Sequence, residues 1–245
     1  GATKIKLAPP KEKYLTPILI GCSSPSSSSK DTQDILYLLH KRLKDSAFTI
    51  CYKSLIVLHY ILNECNNSSN DSLLPNVYNE FLGHNGKASN EYYCRASESD
   101  LLALKRYKEY LFTRIGLSYD ENDKKDLVDH GFLEVLKKNN STNMDSSINS
   151  KNKIPVEDII KIIKLQIECI SKLLKNKYSL HDLSNTNDLL LTCFKLLTND
   201  LLVLYNILNE GIITVLESFF ELKTDLQRET CELYDEFVDV TEDVV

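Results

Sequence analysis

The last third of the chain decides the fold class, and from Leu196 to Phe237 it reads LLTNDLLVLYNILNEGIITVLESFFELKTDLQRETCELYDEF. Apolar residues recur in this run at steps of three and four residues, and Gly211 is its single glycine. Such spacing is typical of α-helices, because residues three and four positions apart lie on one helical face. The run therefore predicts long helices that pack against neighbouring helices.

The same periodicity extends through the rest of the chain. It marks helices over residues 11–20, 32–44, 47–62, 100–117, 156–174 and 187–208. The last two of these segments are apolar on most sides, and a helix of that kind needs neighbours around it. We expect stacked antiparallel helices, with the later ones most buried. No strict repeat is present, so an irregular α-solenoid is predicted.

Composition supports a helical fold. The 245 residues include only 7 glycines and 6 prolines, fewer than turn-dense all-β folds or Gly-loop nucleotide folds use. Three polar segments, at residues 21–32, 63–72 and 137–153, read as surface loops. No uninterrupted apolar run approaches the ~20 residues of a membrane span, so a soluble protein is expected.

Charge is distributed unevenly along the chain. The formal net charge is −6, and the stretch from Glu217 to the end holds ten acidic residues against Lys223 and Arg228. The first fourteen residues carry four lysines and the single acid Glu12. A net negative chain is a poor ligand for nucleic acid, because the phosphate backbone needs a broad basic face. A small basic patch that meets an anionic lipid remains compatible with this pattern.

No enzymatic, metal or cofactor site is predicted. The seven cysteines stand singly, without a CxxC pair, which favours a reduced cytosolic protein. His59 lies eight residues from Cys51, two helical turns or roughly 12 Å away, and six residues from Cys65, on the wrong face for a nucleophilic pair. We interpret His59 as a helix-packing residue.

Three blocks of sequence resemble the ANTH domain of the CALM family, the phosphatidylinositol-binding clathrin assembly proteins. They are GATKIKLAPPKEKY from Gly1 to Tyr14, AFTICYKSLIVLHYIL from Ala47 to Leu62, continued by LKRYKEYL, and the run that contains NEGII from Asn209. The resemblance covers essentially the whole chain. It implies a single ANTH domain over 1–245, an irregular right-handed α-solenoid. Residues 1–120 form an ENTH/VHS-like stack, 121–155 a polar variable connection and 156–245 long C-terminal helices.

The resemblance also implies a lipid-binding site. The family's motif is a lysine, nine residues, then Lys-x-Lys followed by His or Tyr, and its final triplet falls on Lys11, Lys13 and Tyr14. The first lysine of the motif would stand at Gly1, and we hypothesise that Lys4 or Lys6 supplies the missing charge. The implied ligand is phosphatidylinositol 4,5-bisphosphate of the plasma membrane. For any one of these lysines, the alternative interpretation is an ordinary solvated charge.

Further implied properties concern partners and location. The family is cytoplasmic, peripheral at the plasma membrane and clathrin-coated pits or vesicles, and its clathrin-binding motifs lie in regions outside this chain. R-SNARE cargo would contact Leu216 and Thr241, although threonine is a weak apolar anchor. Ubiquitin is a second candidate cargo for this acidic end. For Leu216, core packing is the alternative interpretation. The competing class is a protein-binding α-helical scaffold that does not touch lipid.

Overall fold

The computed structural model describes residues 1–23, 30–65, 73–83, 94–119, 128, 136, 154–179, 183 and 188–244. Within these ranges the chain is mostly helical and no β-strand is present, which confirms the all-α prediction. In chain order the helices are α1 (Glu12–Ser23), α2 (Lys30–Leu43), α3 (Phe48–Cys65), α4 (Leu73–Phe81), α5 (Glu98–Ser118), α6 (Val156–Leu174), α7 (Asp188–Glu217) and α8 (Thr224–Val244). The polar segment at 137–153, the middle of the other two (24–29 and 66–72) and most of the predicted connection at 121–155 lie outside the described residues. The loop prediction is wrong at the described ends of 21–32 and 63–72, because residues 21–23 end α1, 30–32 begin α2 and 63–65 end α3.

The chain divides into two compact units. Helices α1 to α5 belong to the first unit, together with the chain from Lys175 and the beginning of α7 through Thr198. Helix α6, the remainder of α7 from Asn199, and α8 belong to the second. The single ANTH domain over 1–245, with its three sections, stays a prediction.

Helix α3 is the centre of the first unit. It contacts α1, α2 and α5, and 13 of its 18 residues are buried, including the continuous stretch from Ile50 to His59. The expectation that the later helices are the most buried is therefore wrong. Helix α3 lies among three neighbours, whereas α6 buries one stripe, 8 of its 19 residues. His59 is fully buried and its Nδ1 lies 2.8 Å from the Tyr107 hydroxyl, which agrees with a packing role.

Helix α4 was not predicted, although its sequence carries a helical pattern. Leu73, Leu74, Val77 and Phe81 are all buried, and their spacing of one, three and four residues is that of an amphipathic helix. The helix has only nine residues and contains Pro75 within its first turn, where proline is tolerated. It contacts α2 and α5 and thereby closes one side of the first unit.

In the second unit α6 and α8 are neighbours, and α6 also approaches α7 closely. A Cβ atom on Gly211 of α7 would lie 3.0 Å from Ile163 Cγ1 of α6, so the two helices meet more closely than a larger residue would comfortably allow. The close contact gives Gly211 a packing role inside α7, which continues through it without a break. Helix α7 therefore runs beyond the segment predicted at 187–208 and ends at Glu217.

Helix α7 is long and apolar enough to cross a membrane if length and composition alone are considered. Its burial pattern favours another interpretation. The buried residues recur every three or four positions along the helix, and they include the carboxylate residue Asp200. A one-sided stripe of this kind is typical of a core helix in a globular protein.

Candidate functional site

The first ten residues form a segment, here called the lead-in, whose backbone is held by the buried helix α3. The Lys53 ammonium donates a hydrogen bond to the Lys4 carbonyl at 2.7 Å, and the Thr49 hydroxyl donates one to the Ile5 carbonyl at 3.3 Å. Within the segment, the Ala2 side chain is buried. The lead-in is thus a fixed part of the first unit, and its exposed side chains project from a positioned backbone.

Lys53 is an unusual anchor because it is 2% exposed and belongs to the most buried helix. Burial lowers its pKa, since removing water disfavours the charged ammonium. A carbonyl oxygen that accepts a hydrogen bond from the amine offsets part of this cost. The sequence placed Lys53 within a family block but gave no indication that its side chain holds the lead-in.

Lys11 and Lys13 lie at the beginning of α1. The Lys11 carbonyl accepts hydrogen bonds from the Tyr14 amide at 2.9 Å and the Leu15 amide at 3.2 Å, so Lys11 is the residue from which the helix starts. Both lysine side chains are exposed, and neither has an ion pair within the described part of the chain. The positive end of the helix dipole adds to their charge.

Tyr14 connects the helix start with the first residue of the lead-in. Its ring is half-buried, and the Lys13 Nζ lies 5.1 Å from the ring centroid, a cation–π distance. A Cβ atom built on Gly1 would lie 2.5 Å from two carbons of the same ring. Gly1 and the Lys13 ammonium therefore both lie against the Tyr14 ring. A lysine at position 1 would require this ring to move.

Lys4 and Lys6 are exposed on the lead-in and have no ion pair among the residues that the structure describes. The Lys6 carbonyl accepts a hydrogen bond from the Ala8 amide at 2.9 Å, which closes a tight bend between them. Lys4 is positioned through its own carbonyl by Lys53. All four predicted lysines thus belong to one short, partly constrained stretch of chain.

A cavity of about 840 Å³ lies beside the lead-in, and it was not predicted. Apolar residues of α1, α2 and α3 form part of its wall, and the basic residues Lys41, Arg42 and Lys44 belong to its lining. Arg42 Nη1 lies 3.3 Å from Asp45 Oδ2 and forms an ion pair with it. The run KRLK at the end of α2 was the available signal. Basic residues in the last turn of a helix also have an ordinary role, because they complement the helix dipole.

The two predicted cargo residues lie in the second unit but are not adjacent. Leu216 is 41% exposed near the end of α7. The Thr241 hydroxyl donates to the Phe237 carbonyl at 2.8 Å and accepts from the Tyr205 hydroxyl at 3.3 Å. Because Thr241 pairs with Tyr205, eleven residues before Leu216, the two predicted contacts are separated by roughly 16 Å along α7.

An exposed apolar surface lies around residues 218–223, here called the α7–α8 turn. Phe220 is 91% exposed, and Ile213 and Leu216 are also exposed nearby in the sequence. The flanking acids Glu217, Glu221 and Asp225 are exposed as well. No group of three or more His, Cys, Asp or Glu residues in the described ranges is arranged to hold a metal ion.

Comparison with known proteins connects this arrangement to a family. The ANTH domain model matches residues 1–245. The clathrin coat assembly proteins AP180A and AP180B of Saccharomyces cerevisiae are each 43% identical over the whole chain, which covers 36% and 39% of their lengths. A phosphatidylinositol-binding clathrin assembly protein of Rattus norvegicus is 24% identical over 97% of the chain, and 33% of its length is covered. The chain spans between 33% and 39% of the length of these relatives, and it belongs to the ANTH domain family.

Proposed function

We propose that this chain is the membrane-binding module of an endocytic clathrin adaptor and binds phosphatidylinositol 4,5-bisphosphate through Lys4, Lys6, Lys11, Lys13 and Tyr14. The observation that carries the proposal is the set of four exposed lysines on the lead-in and the start of α1, without ion pairs in the described ranges. The names of two relatives support it. The yeast relative is named for clathrin coat assembly, and the rat relative for phosphatidylinositol binding and clathrin assembly.

The energetics suit reversible attachment. A lysine near an anionic leaflet contributes about 1 kcal/mol, so four lysines contribute about 4 kcal/mol. That is about a thousandfold in the binding constant, enough for recruitment and weak enough for release. The exposed start of α1 adds backbone amides that favour phosphate oxygens. Lysine suits such a surface because its ammonium is a flexible point charge.

The wider role follows from the family. We infer a non-enzymatic adaptor that works from the cytoplasm at the plasma membrane and at clathrin-coated pits or vesicles. Its contact with clathrin would be made by regions outside this chain. The lysines of the lead-in and the start of α1 would give the first unit a basic membrane-binding surface, whereas α8 of the second unit is acidic.

The direct test is co-sedimentation with vesicles that contain or lack the bisphosphate lipid. We expect Lys11→Ala/Lys13→Ala to weaken binding about thirtyfold, because two lysines contribute about 2 kcal/mol. Lys223→Ala/Arg228→Ala is the matched control, since it also removes two exposed cations but from the acidic region. Wild-type binding should fall as salt is added. If the wild-type protein ignores the vesicles, the chain is a protein-binding scaffold instead.

Cargo recognition is a second candidate function, favoured by the exposure of Leu216 on α7. We propose that an R-SNARE helix, or ubiquitin in its place, contacts the surface that carries Leu216 and Thr241. Leu216→Ser should weaken binding of such a partner by about tenfold, as expected for loss of an apolar anchor. Leu102→Ser, at 44% exposure on α5 of the first unit, is the matched control. Equal affinity of wild type and Leu216→Ser would reject this role for Leu216.

A further inference from the structure

The lead-in exposes two large aliphatic side chains between its lysines. In the run Lys4-Ile5-Lys6-Leu7, Ile5 is 69% exposed and Leu7 is 54% exposed. A single exposed aliphatic residue on a protein surface needs no explanation. Ile5 and Leu7 lie two residues apart, each beside an exposed lysine, and together they form a largely exposed amphipathic surface.

The backbone beneath these side chains is already ordered. The Ile5 carbonyl accepts from Thr49, the Lys4 carbonyl accepts from Lys53, and the Lys6 carbonyl accepts from the Ala8 amide. A surface that is ordered before binding loses little conformational entropy when it binds. The exposure of Ile5 and Leu7 is therefore a property of a positioned loop.

The surrounding charge indicates the kind of partner. No acidic residue occurs in the first eleven positions, and Glu12 is the first. Aliphatic side chains among cations match a surface that is apolar beneath and anionic above, which describes the interface of an acidic bilayer. Phe220 is more exposed, but Glu217 and Glu221 beside it would be repelled by such a bilayer.

We propose that Ile5 and Leu7 form a wedge that enters the interfacial layer of an anionic bilayer while the adjacent lysines contact phosphate groups. The partner is the bilayer itself, and a soluble headgroup would engage the lysines without the wedge. This inference rests on the proposed lipid-binding function and adds to it an apolar contribution that is insensitive to salt.

The test compares vesicles with the soluble headgroup. For Ile5→Ser/Leu7→Ser we expect affinity for bisphosphate-containing vesicles to fall about tenfold to thirtyfold, because each aliphatic side chain loses part of its burial. Affinity for inositol 1,4,5-trisphosphate, measured by calorimetry, should stay unchanged. Phe220→Ser removes an even more exposed apolar side chain and should alter neither value.

The outcomes separate the two proposals. If wild type binds neither vesicles nor trisphosphate, the lipid-binding function and the wedge both fail. If wild type binds both and the double variant binds vesicles as tightly as wild type does, the wedge alone is overturned. If the double variant loses trisphosphate binding in parallel, Ile5 and Leu7 shape the lysine site and do not insert, which also overturns the wedge.

A fluorescent label gives a second readout that does not depend on affinity. The native Cys231 is exposed, whereas the other six cysteines are buried. An NBD label at position 7 in Leu7→Cys/Cys231→Ser should shift to the blue and be quenched by brominated lipids when vesicles are added. The same label on the native Cys231 should remain in water. A label at position 7 that stays unquenched on bound protein would contradict insertion.

Discussion

The lead-in and the α7–α8 turn both expose large apolar side chains, yet they differ in charge and in the way they are held. The lead-in carries Lys4 and Lys6 and is fixed by hydrogen bonds from a buried helix more than forty residues away in sequence. The turn is flanked by acids and is held locally, with the Gln227 side chain donating to the Phe219 carbonyl at 3.1 Å. Both regions expose apolar side chains, and their opposite flanking charges predict different classes of partner.

The largest expected effect comes from giving the turn the charge of the lead-in. Glu217→Lys/Glu221→Lys/Asp225→Lys should create affinity for anionic vesicles about a hundredfold above wild-type background in a protein whose lead-in lysines are replaced by alanine. Three lysines near an acidic leaflet contribute about 3 kcal/mol. Co-sedimentation measures the gain, and thermal unfolding checks that the fold survives. A folded variant without the gain would mean that backbone anchoring, and not charge, separates the two regions.

Alkaline pH should weaken the core that supports the lead-in. Burial raises the pKa of Cys22 to about 12, with a smaller contribution from Cys65, so the folded thiol keeps its proton while the unfolded thiol loses it near pH 9. The stability present below pH 9 is therefore lost as pH rises toward 12. Between pH 9 and about 10.5, deprotonation of one such thiol in the unfolded state lowers the free energy of unfolding by about 2 kcal/mol.

Urea unfolding at about pH 8 and about pH 10.5 measures this loss. Cys22→Ala should reduce the difference between the two values, although the substitution itself costs stability at both. Cys231→Ala, which alters the exposed cysteine of α8, should leave the difference unchanged. A Cys22→Ala protein with the wild-type pH dependence would show that this thiol does not contribute.

Removing the buried anchor should make the lead-in resemble an unanchored loop. In Lys53→Met the Lys4 carbonyl loses its donor, at a cost of about 1–1.5 kcal/mol, and trypsin cleavage after Lys4 and Lys6 should become about tenfold faster. Vesicle affinity should fall severalfold because the loop must then be ordered on binding. Lys108→Met is the matched control, since it replaces another buried lysine without freeing the lead-in. Equal proteolysis in both variants would remove Lys53 from this role.

The smallest effect concerns a charge pair that supports the second unit. Lys164 Nζ of α6 lies 2.6 Å from Glu229 Oε1 of α8, and both side chains are partly exposed. Lys164→Ala should lower the free energy of unfolding by less than about 1 kcal/mol, because exposed ion pairs are screened by water. Thermal unfolding at low and high salt measures it. A loss above about 1 kcal/mol would mean that this exposed ion pair contributes as much to folding as one lysine is expected to contribute to membrane binding.

Much of the helical structure could be predicted because its signals are local. Six segments with periodic apolar residues correspond to α1, α2, α3, α5, α6 and α7. The central position of α3 could not be predicted, since the stripe of Cys51, Leu55 and Leu58 reads as an ordinary amphipathic helix. Burial of Tyr52 and Lys53 on its other faces depends on which helices surround it, and that is decided by distant parts of the chain.

The candidate site divides in the same way. The lysines were visible as a charge cluster and as a family motif, whereas the side chains that hold them were not. Thr49 and Lys53 act through backbone carbonyls of residues 44 and 49 positions away, and a hydrogen bond to a carbonyl leaves no trace in residue type. The cavity lined by Lys41 and Lys44 also arises only when the lead-in lies beside α2.

The most direct test of the central claim is hydrogen–deuterium exchange of the whole chain with and without vesicles containing phosphatidylinositol 4,5-bisphosphate. Binding through the lysine surface predicts slower exchange in the lead-in and at the start of α1, through Tyr14, and unchanged exchange at residues 218–225. Protection at the α7–α8 turn without protection of the lead-in would contradict it.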